Sequence, residues 1–121
     1  MMHMHPPGGA HALVDISHLG PMPPEETLHS WLVEAAEKSG STILKRVDWR
    51  FEPQGYTSLL LLQESHISCH TWPEHGYVAI DIFSCSRRGD VRGAAEFIIT
   101  QFSRWCPEAV GNVTLIERRP R

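Results

Sequence analysis

Several things are scarce in these 121 residues, and each scarcity excludes something. Positive charge is not in excess. Eleven Lys and Arg stand against 14 Asp and Glu, a net charge of −3, which gives no case for nucleic acid. No apolar run approaches the roughly 20 residues that span a bilayer, and the N-terminus has no apolar signal core. The expectation is a cytoplasmic protein without a membrane role. Cys69, Cys85 and Cys106 are an odd number with no metal-type pairing, and are expected to be free thiols. There is no Gly-x-Ser-x-Gly elbow, which argues against a serine hydrolase. What remains is the composition of an ordinary globular protein, long enough for one modest core and not for two.

Residues 1–9 are rich in His, Pro and Gly and are expected to form a disordered tail, leaving a single domain over 10–121. His3, His5 and His11 are metal-capable, but a floppy tail explains them as well. Ala12, Val14 and Ile16 alternate as in a strand. Prolines at 21–24 and the acidic pair Glu25-Glu26 suit a helix start. Leu28, Trp31, Leu32, Ala35 and Ala36 then recur at helical spacing, and Lys38 and Gly40 close the helix. From 41 to 51 the period becomes two, with Ile43, Val47, Trp49 and Phe51 on one face and Arg46, Asp48 and Arg50 on the other. Residues 57–63 read as a further strand whose four leucines call for cover on both faces. An extended stretch follows, a turn at 72–76, and a returning strand at 77–84. Arg87 to Asp90 is a polar connection. Asp90 is placed to cap a second helix, which Pro107 stops before a last strand at 113–117.

This order predicts an α+β protein, a two-layer sandwich of an antiparallel sheet with two helices on one face. In the returning strand Val78, Ile80 and Ile82 share one face, and Tyr77, Ala79, Asp81 and Phe83 the other. Neither face is polar enough for open water. A domain this small has no layer of its own for the second face, so a homodimer with sheet facing sheet is expected.

Reactive side chains concentrate between Glu64 and Cys85. Ser65 and His66 begin a nucleophile–base pair, but adjacency in a strand puts them on opposite faces. His66, His70 and His75 are spaced four and then five apart, which fits neither one strand face nor a zinc signature, so no metal is expected. On the residues alone, an ordinary polar strand edge stays open as a reading.

The run Glu64-Ser65-His66-Ile67, His70-Thr71-Trp72-Pro73-Glu74, Gly76-Tyr77, Asp81 and Phe83-Ser84-Cys85 closely resembles the prokaryotic S-adenosylmethionine decarboxylase proenzymes. The match is ungapped and tight over this stretch. It is looser from Phe51 to Thr57 and weak at Gly9-Ala10-His11. The resemblance implies self-cleavage between Glu64 and Ser65. The Ser65 hydroxyl attacks the Glu64 carbonyl, and elimination and hydrolysis then convert Ser65 into a pyruvoyl group. That group forms a Schiff base with the substrate amine and acts as the electron sink for decarboxylation. A strained or polarised link at Glu64 is expected, because a planar amide is a poor electrophile. By the same resemblance His70 is the processing base, Thr57 supplies a hydroxyl that assists processing, and Cys85 is the proton donor in turnover. Phe51 stacks on adenine and Glu74 holds the ribose hydroxyls. Ser65 and His70 differ in strand parity, so within one strand they meet only through a bulge or bend.

The implied function is decarboxylation of S-adenosylmethionine to the aminopropyl donor of polyamine (spermidine) synthesis. After Cys85 the family's glycine and acidic residues give way to Ser86-Arg87-Arg88. That change motivates two alternatives: a pyruvoyl-dependent decarboxylase of ornithine or arginine, and a silent regulatory paralogue.

Overall fold

A computed structural model describes residues 7–85 and 89–121. The N-terminal histidines His3 and His5, and the basic link at 86–88, lie outside the described residues. The elements are β1 (Gly9–Ser17), α1 (Glu25–Lys38), β2 (Ile43–Arg50), β3 (Tyr56–Leu62), β4 (Ser65–Trp72), β5 (Tyr77–Ser84), α2 (Val91–Trp105) and β6 (Val110–Arg118). The expected order holds, and β1 takes in Gly9, one residue inside the stretch read as tail.

The six strands form one sheet in the order β2-β3-β4-β5-β1-β6, and the neighbours run antiparallel. Strands β2 to β5 are a meander of short hairpins. β1 then inserts between β5 and β6, which sets Gly9 against Arg118. The α1 helix opens after Pro24 with Glu25 and Glu26 in its first turn, and Ser39 and Gly40 terminate it. In α2 the Asp90 side chain caps the Gly93 N–H at 2.8 Å, satisfying one of the orphan donors of the first turn. Gly76 follows the short 3-10 turn Pro73–His75 at φ 58°, where a Cβ would lie 2.4 Å from the Leu19 carbonyl oxygen. Glycine is therefore required there on two counts.

The two helices cover one face only. Val14 and Ile16, Leu60 and Leu62, Ile67, and Ile80 and Ile82 are buried against Leu28, Leu32, Ile98 and Phe102. Trp31 meets Phe102 edge-on at 5.1 Å between ring centroids, linking α1 to α2. The opposite parity gives a different surface. On β2 the charged residues turn toward α1, where Arg46 pairs with Glu26 and Arg50 with Glu25. Val47 and Trp49 then lie on the open face, with Trp49 69% exposed. Leu59 and Leu61 are beside them on β3, and Leu61 is 53% exposed. Of the four leucines read as needing cover on both faces, Leu60 and Leu62 have it within the chain, and Leu59 and Leu61 do not.

Candidate active site

The β3–β4 hairpin pairs Leu62 with Ser65 and leaves Gln63 and Glu64 as its loop. Glu64 has φ 61°, the left-handed conformation that glycine or asparagine usually fills. The left-handed residue is the one whose carbonyl precedes Ser65. On the other side of β4 the ladder pairs His66 with Phe83. Continued by two residues, the same register sets Cys85 against Glu64. The Cys85 thiol donates to the Glu64 carbonyl oxygen at 2.8 Å, and the Cys85 N–H donates to Ser65 Oγ at 3.2 Å. Ser65 is only 8% exposed. Burial, with the charge of Glu64 adding to it, raises the Cys85 pKa above its ordinary 9.0, and the Ser65 hydrogen bond offsets part of that. The thiol is therefore protonated at neutral pH.

A second group lies further along the same strand. Thr57 and His70 are direct cross-strand partners, and Thr57 Oγ1 and His70 Nδ1 share a hydrogen bond of 2.9 Å. Phe51, Thr57, His70, Trp72 and Glu74 line one pocket at this end of the open face. Trp72 stacks beside His70 and Tyr77, with centroids 6.1 and 5.3 Å away. Phe51 and Glu74, which the resemblance assigns to substrate, thus share one pocket with Thr57 and His70, two of the residues it assigns to processing.

The two groups do not meet within one chain. Along β4 the residues Ser65, Ile67, Cys69 and Thr71 are buried toward the helices, and His66, Ser68 and His70 take the other parity. The strand pairs on both sides without a register shift. The bulge that would have joined Ser65 to His70 is absent, and five strand residues separate their backbones by roughly 17 Å. His66, His70 and His75 do not converge either. His66 binds Asp81, His70 binds Thr57, and His75 is exposed in the turn.

Asp81 has a role that the sequence did not reveal. His11 and His66 both direct Nε2 at its Oδ2, at 2.6 and 2.8 Å, and the Ser68 hydroxyl donates to its Oδ1. Burial raises the Asp81 pKa, but the bonds from Ser68, His11 and His66 outweigh it and the net shift is downward. The only sign in the sequence was a lone carboxylate within an apolar strand. Tyr77 similarly donates its hydroxyl to Asp15.

A small two-layer α+β protein with an α-helical face and an open sheet face is the architecture of a solved adenosylmethionine decarboxylase. The crystal structure of that enzyme from Aquifex aeolicus superposes with a TM-score of 0.77 at 29% identity, covering 94% of this chain and 92% of the other. The family model for S-adenosylmethionine decarboxylase matches residues 10–107, and the chain belongs to that family. A relative from Prochlorococcus marinus, named S-adenosylmethionine decarboxylase proenzyme, is 46% identical over 74 residues, which is 61% of this chain and 59% of the relative. One of the same name from Thermodesulfovibrio yellowstonii is 34% identical over 104 residues, 84% of this chain and 77% of the relative. The chain aligns with between 48% and 62% of the length of the first curated relatives it matches.

Proposed function

We propose that this chain is a self-processing, pyruvoyl-dependent decarboxylase of S-adenosylmethionine, supplying the aminopropyl donor for polyamine synthesis. One observation carries the reading. The nucleophile Ser65, the carbonyl it would attack and a protonated thiol that polarises that carbonyl are gathered at one hairpin tip.

That geometry supports a cut between Glu64 and Ser65. Ser65 Oγ adds to the Glu64 carbonyl carbon while the Cys85 thiol stabilises the developing oxyanion. The Glu64–Ser65 C–N bond breaks, an ester forms, and the freed amine takes the proton that the hydroxyl gave up. A base then removes the Ser65 α-proton, and the Glu64 carboxylate leaves as the C–O bond breaks. Hydrolysis of the resulting enamine releases ammonia. The products are residues 1–64 and a second chain, from position 65, that begins with the pyruvoyl group. The Ser65 position, whose Oγ lies 3.2 Å from the Cys85 N–H, is where that group would stand, and it would supply an electron sink for the amino acid's α-carbon. Cys85 then holds a proton on Sγ beside the reacting carbon.

Phe51 is half-exposed at the pocket's mouth and available to stack on a purine. Glu74 is exposed in the same pocket, suited to two sugar hydroxyls. The faces of Trp72 and Tyr77 favour a sulfonium cation.

Because Ser65–Cys85 and Thr57–His70 stand apart, the site is incomplete in one chain. A second copy, packed where Trp49 and Leu61 lack cover on the open face, is the source proposed for the missing half. The functional unit is then a homodimer of cleaved chains, each a single domain over 10–121. A cytoplasmic location accords with the sequence. Among the described residues, no helix is long and apolar enough to cross a membrane.

Denaturing mass spectrometry of purified protein tests the reading. Two fragments are expected, the second lacking an amine at its first residue, together with release of carbon dioxide from S-adenosylmethionine in preference to ornithine or arginine. A persistent 13.7 kDa chain with serine at position 65 overturns it.

A further inference from the structure

The His11–His66–Asp81 cluster has the donor set and convergence of a metal centre. Its geometry comes from the sheet ladder. β5 runs between β1 and β4, and both His11 and His66 are register partners of Phe83. The two imidazoles therefore flank that ring, with centroids 5.5 and 6.0 Å from it. Asp81, two residues along β5 on the same face, projects between them. The three ligand atoms lie within 4.8 Å of one another. In the single chain the side chains are partly accessible, His11 at 16%, Asp81 at 23% and His66 at 45%, so an ion can enter without unfolding before a second copy packs on this face.

We propose that His11 Nε2, His66 Nε2 and an Asp81 carboxylate oxygen form a binding site for a first-row divalent transition cation such as Zn²⁺, with the fourth position open to water. Two imidazoles and one carboxylate are the ligands such borderline ions prefer. Neighbouring ligand atoms around tetrahedral zinc stand about 3.4 Å apart, so each nitrogen must retreat from Asp81 by roughly 0.6–0.8 Å. Small rotations of partly exposed rings supply that. Ser68, bonded to the other Asp81 oxygen, fixes the carboxylate as an outer-shell partner does. Neither histidine grouping visible in the sequence contains this set, because His11 and His66 are 55 positions apart and meet only through β5. The ion ties β1 to β4 and β5. On the proposed cut at 64–65 it also bridges the two product chains, His11 on one and His66 with Asp81 on the other. The cluster is complete in the uncut chain, so the site itself does not depend on cleavage.

The test is titration of the full-length chain with Zn²⁺ by calorimetry and with Co²⁺ by visible absorption. It is done on wild type and on uncut Ser65→Ala, both carrying His3→Gln and His5→Gln to silence the tail. One ion per chain is expected, with a cobalt spectrum free of thiolate charge transfer. Asp81→Asn, His11→Gln and His66→Gln should each weaken binding by more than the roughly 10–100-fold that an outer-shell change costs, and Ser68→Ala by about 10-fold. His75→Gln should leave it unchanged. Circular dichroism identifies any variant that fails to fold, and the remaining ligand variants then decide. Absence of stoichiometric binding, binding that survives folded ligand variants, or a thiolate–cobalt band overturns the proposal.

Discussion

Cys85 and Glu64 meet where the β4–β5 ladder runs out, thiol to carbonyl oxygen across 2.8 Å. On the proposed cut, this gives Cys85 a task before any substrate arrives, that of activating the Glu64–Ser65 link. Removing one oxyanion donor typically costs a hundredfold or more, and a thiol is a weak donor, so Cys85→Ala is expected to slow self-cleavage by about 100-fold. Cys85→Ser keeps an O–H in place and should cut much faster than the alanine variant while turning over poorly. Fragment appearance followed by mass spectrometry separates the two roles. Cleavage of Cys85→Ala at the wild-type rate removes the first.

The left-handed backbone at Glu64 costs a residue with a Cβ about 1–2 kcal/mol, which glycine avoids. Glu64→Gly in a Ser65→Ala background, where no cut interferes, should raise stability in urea by about 1 kcal/mol. With Ser65 intact, the same change should slow cutting if strain at this link helps it break. A glycine variant that is less stable and cuts normally shows that the conformation stores nothing useful.

The Cys85 pKa, lifted above 9.0, sets the sign of a pH effect. A raised folded-state value means that the protonated thiol is favoured in the native chain. Its contribution to stability is complete below pH 9 and is lost as pH rises through the raised value. The S–H bond to Glu64 disappears over the same window. Self-cleavage should therefore fall on an alkaline limb lying above pH 9, and Cys85→Ser should lack that limb. A wild-type limb below pH 9 assigns the loss to another group.

Much of this architecture was readable from residue periods, and the exceptions share a cause. The alternation in β5 and the helical spacing of Leu28, Leu32, Ala35 and Ala36 translated directly into buried faces. Such patterns are local, and each element carries its own. Asp90 likewise stated its capping role in place. The Asp81 cluster stayed hidden because β1 pairs with β5 across 70 residues, and no local period encodes which strands are neighbours. Parity did anticipate the difficulty between Ser65 and His70. The bend that would have removed it is absent, because β4 is held in register on both sides.

Thr57 orients His70 through a single hydrogen bond to Nδ1. Thr57→Val removes the hydroxyl at nearly constant volume, and Thr57→Ser retains it. If the hydroxyl sets the ring for proton transfer, the valine variant should process about 10-fold more slowly, a loss of about 1.4 kcal/mol, in line with one hydrogen bond. The serine variant should match or exceed wild type. Equal rates for all three make the contact structural only.

The separation of the two half-sites makes a prediction about mixtures. Ser65→Ala cannot be cut but keeps Thr57 and His70. His70→Ala keeps Glu64, Ser65 and Cys85 but lacks the proposed processing base. If each complete site takes its hairpin from one chain and its histidine from the other, both variants alone should stay intact. Co-expressed, they form mixed dimers with one whole site, and the His70→Ala chain alone should be cut. Mass spectrometry tells the two chains apart by their substitutions. Cutting of His70→Ala by itself denies His70 the role of base. Intact chains in verified mixed dimers would mean that Ser65 and His70 must reach each other within one chain, which the unbroken pairing of β4 opposes.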